Sequence, residues 1–320
     1  MYPAESKPRA RVMVLGAGGM LGHMVTTFLE DSGHDVISVT RNGHFGQKPV
    51  AVDLEDWRSL RSELELYRPD WVINAAGLLN EEVDQMKVSA ILINSSLPQH
   101  LSAIGPEIGF RTITVGSDCV FEGDRGRYSV DDPPDALSSY GRTKQLGELQ
   151  NSKDLTIRTS IIGPEIDPDG RGLFLWVMSQ KSEVEGWTAA IWTGVTTLEL
   201  AKVIEAVVSS ELQETGLWQL VPGTSITKFD LLHLINSTFL ESQLTINAVP
   251  GLGHDRSLIN DRVSKWMVPS YLEMLSELKE WMHSHASLYN ATVFAMPEEH
   301  RAGPEMTTLT DKQTNGNGKP

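Results

Sequence analysis

The stretch LSSYGRTKQLGE, Leu137 to Glu148, places a phenol at Tyr140 and an ammonium at Lys144. Residues four apart on a helix share one face. A phenol left to itself, with a pKa of about 10, is a sluggish acid or base near neutrality. A nearby ammonium favours the phenolate and speeds it. The pair is therefore either an ordinary helix surface feature or a proton donor with its helper. What the rest of the chain brings to it decides between the two.

A second chemical feature is the turn GAGGMLG, Gly16 to Gly22. It follows the short apolar run RVMVLG and opens a helix through Met20 and Leu21. Gly16 permits a tight turn, Gly19 lets a diphosphate approach the backbone, and Gly22 lets helix and sheet lie close. The helix start then offers unpaired N–H groups to phosphate. The second strand ends at Thr40 and Arg41, where an acidic residue would hold the two ribose hydroxyls. A cation there suits a 2′-phosphate, so NADP is expected in preference to NAD. Asp53 and Leu54 in AVDLED are placed to reach the adenine edge. Ala75, Ala76 and Gly77 in NAAG leave room for a cofactor at a strand end.

These groups need a frame. From residue 11 to about 163, apolar strand-like runs alternate with helical patterns: DVISVT, then a helix through Trp57, Leu60 and Leu64, then WVINA, FRTITV and LTIRTSIIG. That alternation predicts an α/β, Rossmann-type, doubly wound parallel sheet covered on both faces. From Asp167 the rhythm loosens, with clear helices only at TTLELAKVIEAVVSSEL and TKFDLLHLINSTFL. The expected organisation is a loose N-terminus over 1–10 and a dinucleotide-binding domain over 11–166. A mixed region over 167–285 follows, a smaller substrate lobe with segments returning to the first domain. Last comes a largely disordered polar tail over 286–320.

Composition bounds the partners. A net charge of -15 argues against a nonspecific nucleic-acid binder, which needs a basic field. The single cysteine, Cys119, rules out an intrachain disulfide framework. No run approaches the roughly 20 apolar residues of a membrane helix, and no secretory leader is seen. A cytoplasmic protein without membrane partner is expected. No metal site is expected, since His283 and His285 have no convergent acidic or thiol partners in the sequence.

The glycine turn, the Asn-Ala-Ala-Gly, the Tyr-x-x-x-Lys and the segment VGSDCVFEGDRGRYSVDDPPDALSSYGRTKQLGE together resemble the extended short-chain dehydrogenase/reductases. Within them, the dTDP-4-dehydrorhamnose reductase branch is the one most resembled. The resemblance spans about residues 11 to 240. It implies NADPH-dependent reduction of a 4-keto nucleotide-sugar in carbohydrate biosynthesis, with Tyr140 as acid or base. Lys144 would bind the nicotinamide ribose and lower the tyrosine pKa, and Ser117 would hold the reacting oxygen. Asn94 matches a family asparagine by position. The same shapes also occur in epimerases and in a non-catalytic regulatory subunit of methionine adenosyltransferase, and a homo-oligomer stays open.

The chain departs from the branch in places. Ser117 stands for the usual threonine and Cys119 for the usual tyrosine. RTSIIGPE lacks the branch's aromatic pair. The glutamate of the family's dehydratases is missing after Asp118, which argues against 4,6-dehydration. Substrate contacts are expected from Asp118 and Cys119 and from the loop between Glu122 and Ser139. Arg158, Arg171 and Arg262 are candidate phosphate cations, and Trp187 and Trp192 candidate stacking faces.

Overall fold

The computed structural model describes residues 9–260 and 266–289. Most of the expected tail, the first eight residues and Arg262 lie outside the described residues. The first half of the chain lays down β1 (Arg11–Leu15), β2 (Asp35–Thr40), β3 (Pro49–Ala51), β4 (Trp71–Asn74), β5 (Arg111–Val115) and β6 (Leu155–Arg158). Between them run α1 (Met20–Asp31), α2 (Trp57–Tyr67), α3 (Asn80–Gln85), α4 (Lys87–Ala90), α5 (Leu97–Ile108) and α6 (Ser139–Leu146). β1 is apolar at successive positions because both its faces are covered: Val12, Met13, Val14 and Leu15 are all fully buried. On α1, Leu21, Met24, Val25 and Leu29 fall on one stripe and enter the same core. Asp56 caps α2 by accepting from the amides of Arg58 and Ser59.

The second half is mixed. It contains β7 (Ile161–Ile162), β8 (Glu183–Trp187), β9 (Ile191–Trp192), β10 (Val195–Thr196), β11 (Gly216–Gln219), β12 (Ile226–Thr227) and β13 (Thr245–Val249). Its helices are α7 (Leu173–Ser179), α8 (Thr197–Val208), α9 (Lys228–Phe239) and α10 (Tyr271–Ser284). β11 returns to the main sheet, whose order is β11-β6-β5-β4-β1-β2-β3, parallel throughout. α8 packs on α1 and closes that face. β8 pairs with β13, and β9 with β12, to make the smaller lobe.

Three local features differ from the sequence reading. The run Leu155–Gly163 is two strands: the chain leaves the sheet at Thr159 and Ser160, and β7 pairs with β10 instead. Hydroxyl side chains at that point compete for backbone groups, and Thr159 Oγ1 donates to the Ser160 carbonyl at 3.2 Å. The helical stretch after α4 opens with a π-helix, Ile91–Ser96, before α5. The start of the expected tail is held, since Ala286–Leu288 forms a 3-10 turn and Tyr289 is buried.

Candidate active site

The strand order reverses between β1 and β4, and ligands of open parallel sheets bind outside such a switch point, at the carboxyl ends of the strands. The glycine turn follows β1 there, and Ala75–Gly77 follow β4. Gly16 has φ +74°, and a Cβ on it would lie 2.8 Å from the Ala76 Cα. A Cβ on Gly22 would collide with the Gly16 carbonyl. These two glycines are thus required by packing. Around Gly18 and Gly19 the nearest atom to an added Cβ is 3.5 and 3.4 Å away, so the backbone there is open to a ligand.

A cavity of about 430 Å³ begins at this turn. Its walls include Gly16, Gly19, Arg41, Asp53, Leu54 and Ala75 to Gly77, eight of the expected cofactor residues. Gly18 and Leu78 line it too, and the sequence reading passed over both. Gly18 was findable, because it sits inside the same turn. Met20, Leu21, Gly22, Tyr140 and Lys144 do not line the cavity; Leu21 and Gly22 are buried behind it. The donor set suits a dinucleotide: open glycine backbone at the start of α1, a cation at the end of β2, and small residues at the end of β4.

The π-helix lines this cavity through Ile93 and holds the wall residue Leu78 through Asn94. Its Nδ2 donates to the Leu78 carbonyl at 3.0 Å and to Thr143 Oγ1 at 3.2 Å. Its Oδ1 accepts from the Leu78 amide at 2.9 Å. One buried side chain therefore ties the cavity wall to α6, the helix that carries Tyr140 and Lys144.

Ser138 caps α6, accepting from the Gly141 amide at 3.1 Å. Gly141 is needed because a Cβ there would strike the Cys119 carbonyl. This close approach brings α6 against Ser117–Cys119. Ser117 Oγ accepts from the Cys119 amide at 3.1 Å and faces Asp118 Oδ1 at 3.4 Å. Burial pushes the Tyr140 phenol well above its ordinary pKa, and Cys119 adds to the rise; the Ser117 hydroxyl opposes it. Lys144 Nζ donates to the Val115 carbonyl at 2.7 Å, at the end of β5. Burial lowers Lys144 to about 8, against Glu148 and Cys119. The half-buried Cys119 thiol is pushed up to about 12 by desolvation and by Asp118, which disfavours its thiolate.

Several expected substrate residues sit differently. Arg158 is 1% exposed and forms a two-pronged ion pair with Glu148, at 2.8 and 2.7 Å, beneath the Phe121 ring. It is a core cation and is closed to an external phosphate. Trp192 is 4% exposed, its Nε1 donating to Ser160 Oγ at 2.8 Å, so it offers no open face to a base. Trp187 is exposed but packs beside Gly251. Arg171 is exposed, near Glu165 on the loop before α7. Two cations missed in the sequence face Asp118 from the smaller lobe: Lys228, the first residue of α9, and Arg256. Lys228 had a signal, since a lysine opening a helix opposes the helix dipole.

The family described as RmlD substrate binding domain matches residues 10–266. The chain belongs to that family. Among its relatives, the spore coat polysaccharide biosynthesis protein SpsK of Bacillus subtilis is 33% identical over 156 residues, 47% of this chain and 52% of SpsK. A dTDP-4-dehydrorhamnose reductase of Streptomyces griseus is 34% identical over 143 residues, 44% of each chain. The chain thus spans about half the length of the curated relatives it matches. A Bacillus anthracis dTDP-4-dehydrorhamnose reductase crystallised with NADP superposes with a TM-score of 0.72 at 18% identity. That superposition covers 86% of this chain and 100% of the other, and the likeness is one of fold. Among the described residues, no helix is long and apolar enough to cross a membrane.

Proposed function

We propose that this protein reduces the keto group of a nucleotide-sugar with NADPH, a 4-keto sugar as in the named reductases. The observation that carries the reading is the meeting of a half-buried phenol, a serine hydroxyl and a lysine where α6 packs on Ser117–Cys119, with Asn94 tying α6 to the wall of the glycine-turn cavity. The named activities of relatives and the cofactor of the Bacillus anthracis structure support it.

The glycine turn and the start of α1 would hold the diphosphate, Arg41 the 2′-phosphate, and Asp53 and Leu54 the adenine end. Lys144 would meet the nicotinamide ribose. Bound NADPH supplies a hydride to the carbonyl carbon. The carbonyl π electrons move to its oxygen, and Ser117 donates a hydrogen bond where that charge grows. Tyr140 delivers its phenolic proton to the same oxygen, and the phenolate is reprotonated from solvent. The balance is one ketone, one hydride and one proton giving one alcohol. A phenol kept protonated by burial is in the right state to be the acid.

The test is NADPH oxidation across a panel of 4-keto dTDP- and UDP-sugars. Saturable turnover with at least one is expected. Silence across the panel, with protein shown to bind NADPH, would sink the reading. Conversion of a sugar without net NADPH consumption would replace it with epimerisation.

A further inference from the structure

His23 sits in the first turn of α1 and is fully buried, edge-on to Phe45 and to Tyr289. Its Nδ1 lies 3.0 Å from the Gly19 carbonyl, and its Nε2 lies 3.0 Å from the Tyr289 hydroxyl. Burial pushes its pKa down to about 4, against the Gly19 and Met20 backbone, so near pH 7 the ring is neutral. A neutral imidazole carries one N–H, and a carbonyl can only accept. The proton is therefore on Nδ1 and is donated to Gly19. Nε2 is left to accept from the Tyr289 hydroxyl, and that hydroxyl fixes the tautomer.

The Gly19 carbonyl has a partner without the imidazole. It already accepts from the His23 amide at 3.0 Å, the first bond of α1. The second bond restrains its direction. Gly19 C=O and Met20 N–H belong to one planar trans peptide, so they point opposite ways. With the carbonyl drawn back to the imidazole, the Met20 amide points out of the start of α1. No described residue accepts from that amide, whereas the Gly19 amide is spent on the Gly16 carbonyl at 3.0 Å.

The hydroxyl that completes the chain of bonds comes from 266 positions further along the sequence, on a residue only 7% exposed. The same segment grips the other end of α1, where His285 Nε2 meets Asp31 Oδ2 at 2.8 Å. An apolar side chain at position 23 would pack with no polar group to satisfy, so what the imidazole adds is its two hydrogen bonds. We infer that Tyr289 and His23 are positioning residues for the cofactor: the hydroxyl fixes the imidazole tautomer, and the imidazole aims the Met20 amide at the dinucleotide diphosphate. This rests on the cofactor part of the reading above.

The test is calorimetric titration of the full chain with NADPH and with adenosine 2′-monophosphate, which has the adenine end and no diphosphate. The variants are Tyr289→Phe, His23→Leu, His23→Asn, and Tyr289→Phe combined with His23→Asn. Asparagine keeps an N–H near the place of Nδ1 and needs no hydroxyl to fix it. Tyr289→Phe and His23→Leu should bind NADPH about 2- to 12-fold more weakly, the span of one neutral hydrogen bond. Both should bind adenosine 2′-monophosphate as wild type does. His23→Asn should keep wild-type NADPH affinity, and adding Tyr289→Phe to it should change nothing. Far-ultraviolet circular dichroism checks folding, and Tyr289→Phe decides the matter if His23→Leu fails to fold. Wild-type NADPH affinity in Tyr289→Phe overturns the inference. So does an equal loss for both ligands, which would mean a general loosening of the turn, and so does a further loss in the combined variant. The two readings fail separately: a wild type that does not bind NADPH sinks the cofactor reading, whereas NADPH binding that no variant moves sinks only the positioning role.

Discussion

Tyr140 carries the most chemistry in the fewest atoms. Tyr140→Phe removes one hydroxyl and leaves the ring to pack. NADPH affinity should hold, while turnover should fall about 10²- to 10⁴-fold, the usual worth of a positioned general acid. Near-full turnover in the variant would transfer the proton to another group. Lys144 sets a pH limit with a defined sign. Its pKa is lowered to about 8 by burial, so the ammonium is present below that value and lost above it. Cofactor affinity, measured from roughly pH 7 to 9.5, should fall through the upper half of the range, and in Lys144→Met it should be lower and flat. Tyr140, displaced upward, contributes no limb in that window. A third residue reads the cofactor. Arg41→Ala should weaken NADPH binding about 10- to 150-fold more than NADH binding, the range for one charge-assisted phosphate contact. Equal losses for both cofactors in fluorescence titration would show that Arg41 faces solvent only.

Two elements decide whether those residues meet. The first is the turn between β1 and α1, where Gly22 touches the Gly16 carbonyl. Gly22→Ala forces backbone to move, because the atoms it meets belong to the turn itself. A cost of about 1–3 kcal/mol is expected for such overpacking. The displaced turn should weaken NADPH binding in step, and a denaturant midpoint beside a cofactor titration reads both. The second is α6 with the two residues after it. Glu148, buried just past its end, neutralises Arg158 under Phe121 and also bears on Lys144. Glu148→Gln leaves a buried guanidinium without its counter-charge. The expected loss is about 3–5 kcal/mol of stability, the usual cost of breaking a buried pair from one side. An unchanged denaturant midpoint would mean that water reaches Arg158.

Across the whole molecule, contacts far apart in sequence support the cofactor turn. His23, in the first turn of α1, contacts the Gly19 carbonyl through Nδ1 and the Tyr289 hydroxyl through Nε2, each at 3.0 Å. Burial pushes His23 down to about 4, so it stays neutral near pH 7. Tyr289 is therefore a buttress behind the glycine turn, supplied from the end of the described chain. Tyr289→Ala should cost about 3–5 kcal/mol, as for other buried aromatics cut to alanine. Tyr289→Phe should cost about 1 kcal/mol, the net value of one hydrogen bond. The segment around Arg256 works similarly, tying the loop after Ser117 to the smaller lobe. The Asp255 amide donates to the Gly123 carbonyl at 2.9 Å, and the Leu258 amide to Thr193 Oγ1 at 2.9 Å.

The amino-acid order alone determined the parallel sheet and the cofactor turn, because both are local codes. Buried strands need continuous apolar runs, and a diphosphate turn needs glycines at fixed spacing right after the first strand. Tyr140 and Lys144 were legible for the same reason, being four apart on one helix. Only the tertiary structure decided what depends on distant partners. Arg158 reads as a free cation until Glu148 and Phe121 enclose it, and Trp192 as a stacking face until Ser160, Tyr271 and Lys228 cover it. The upward push on the Tyr140 phenol follows from burial and from Cys119, and Lys144 donates to the Val115 carbonyl, neither of which spacing along one helix encodes. Local spacing carries information about one element, while the desolvation and pairing of a charge depend on every element packed around it.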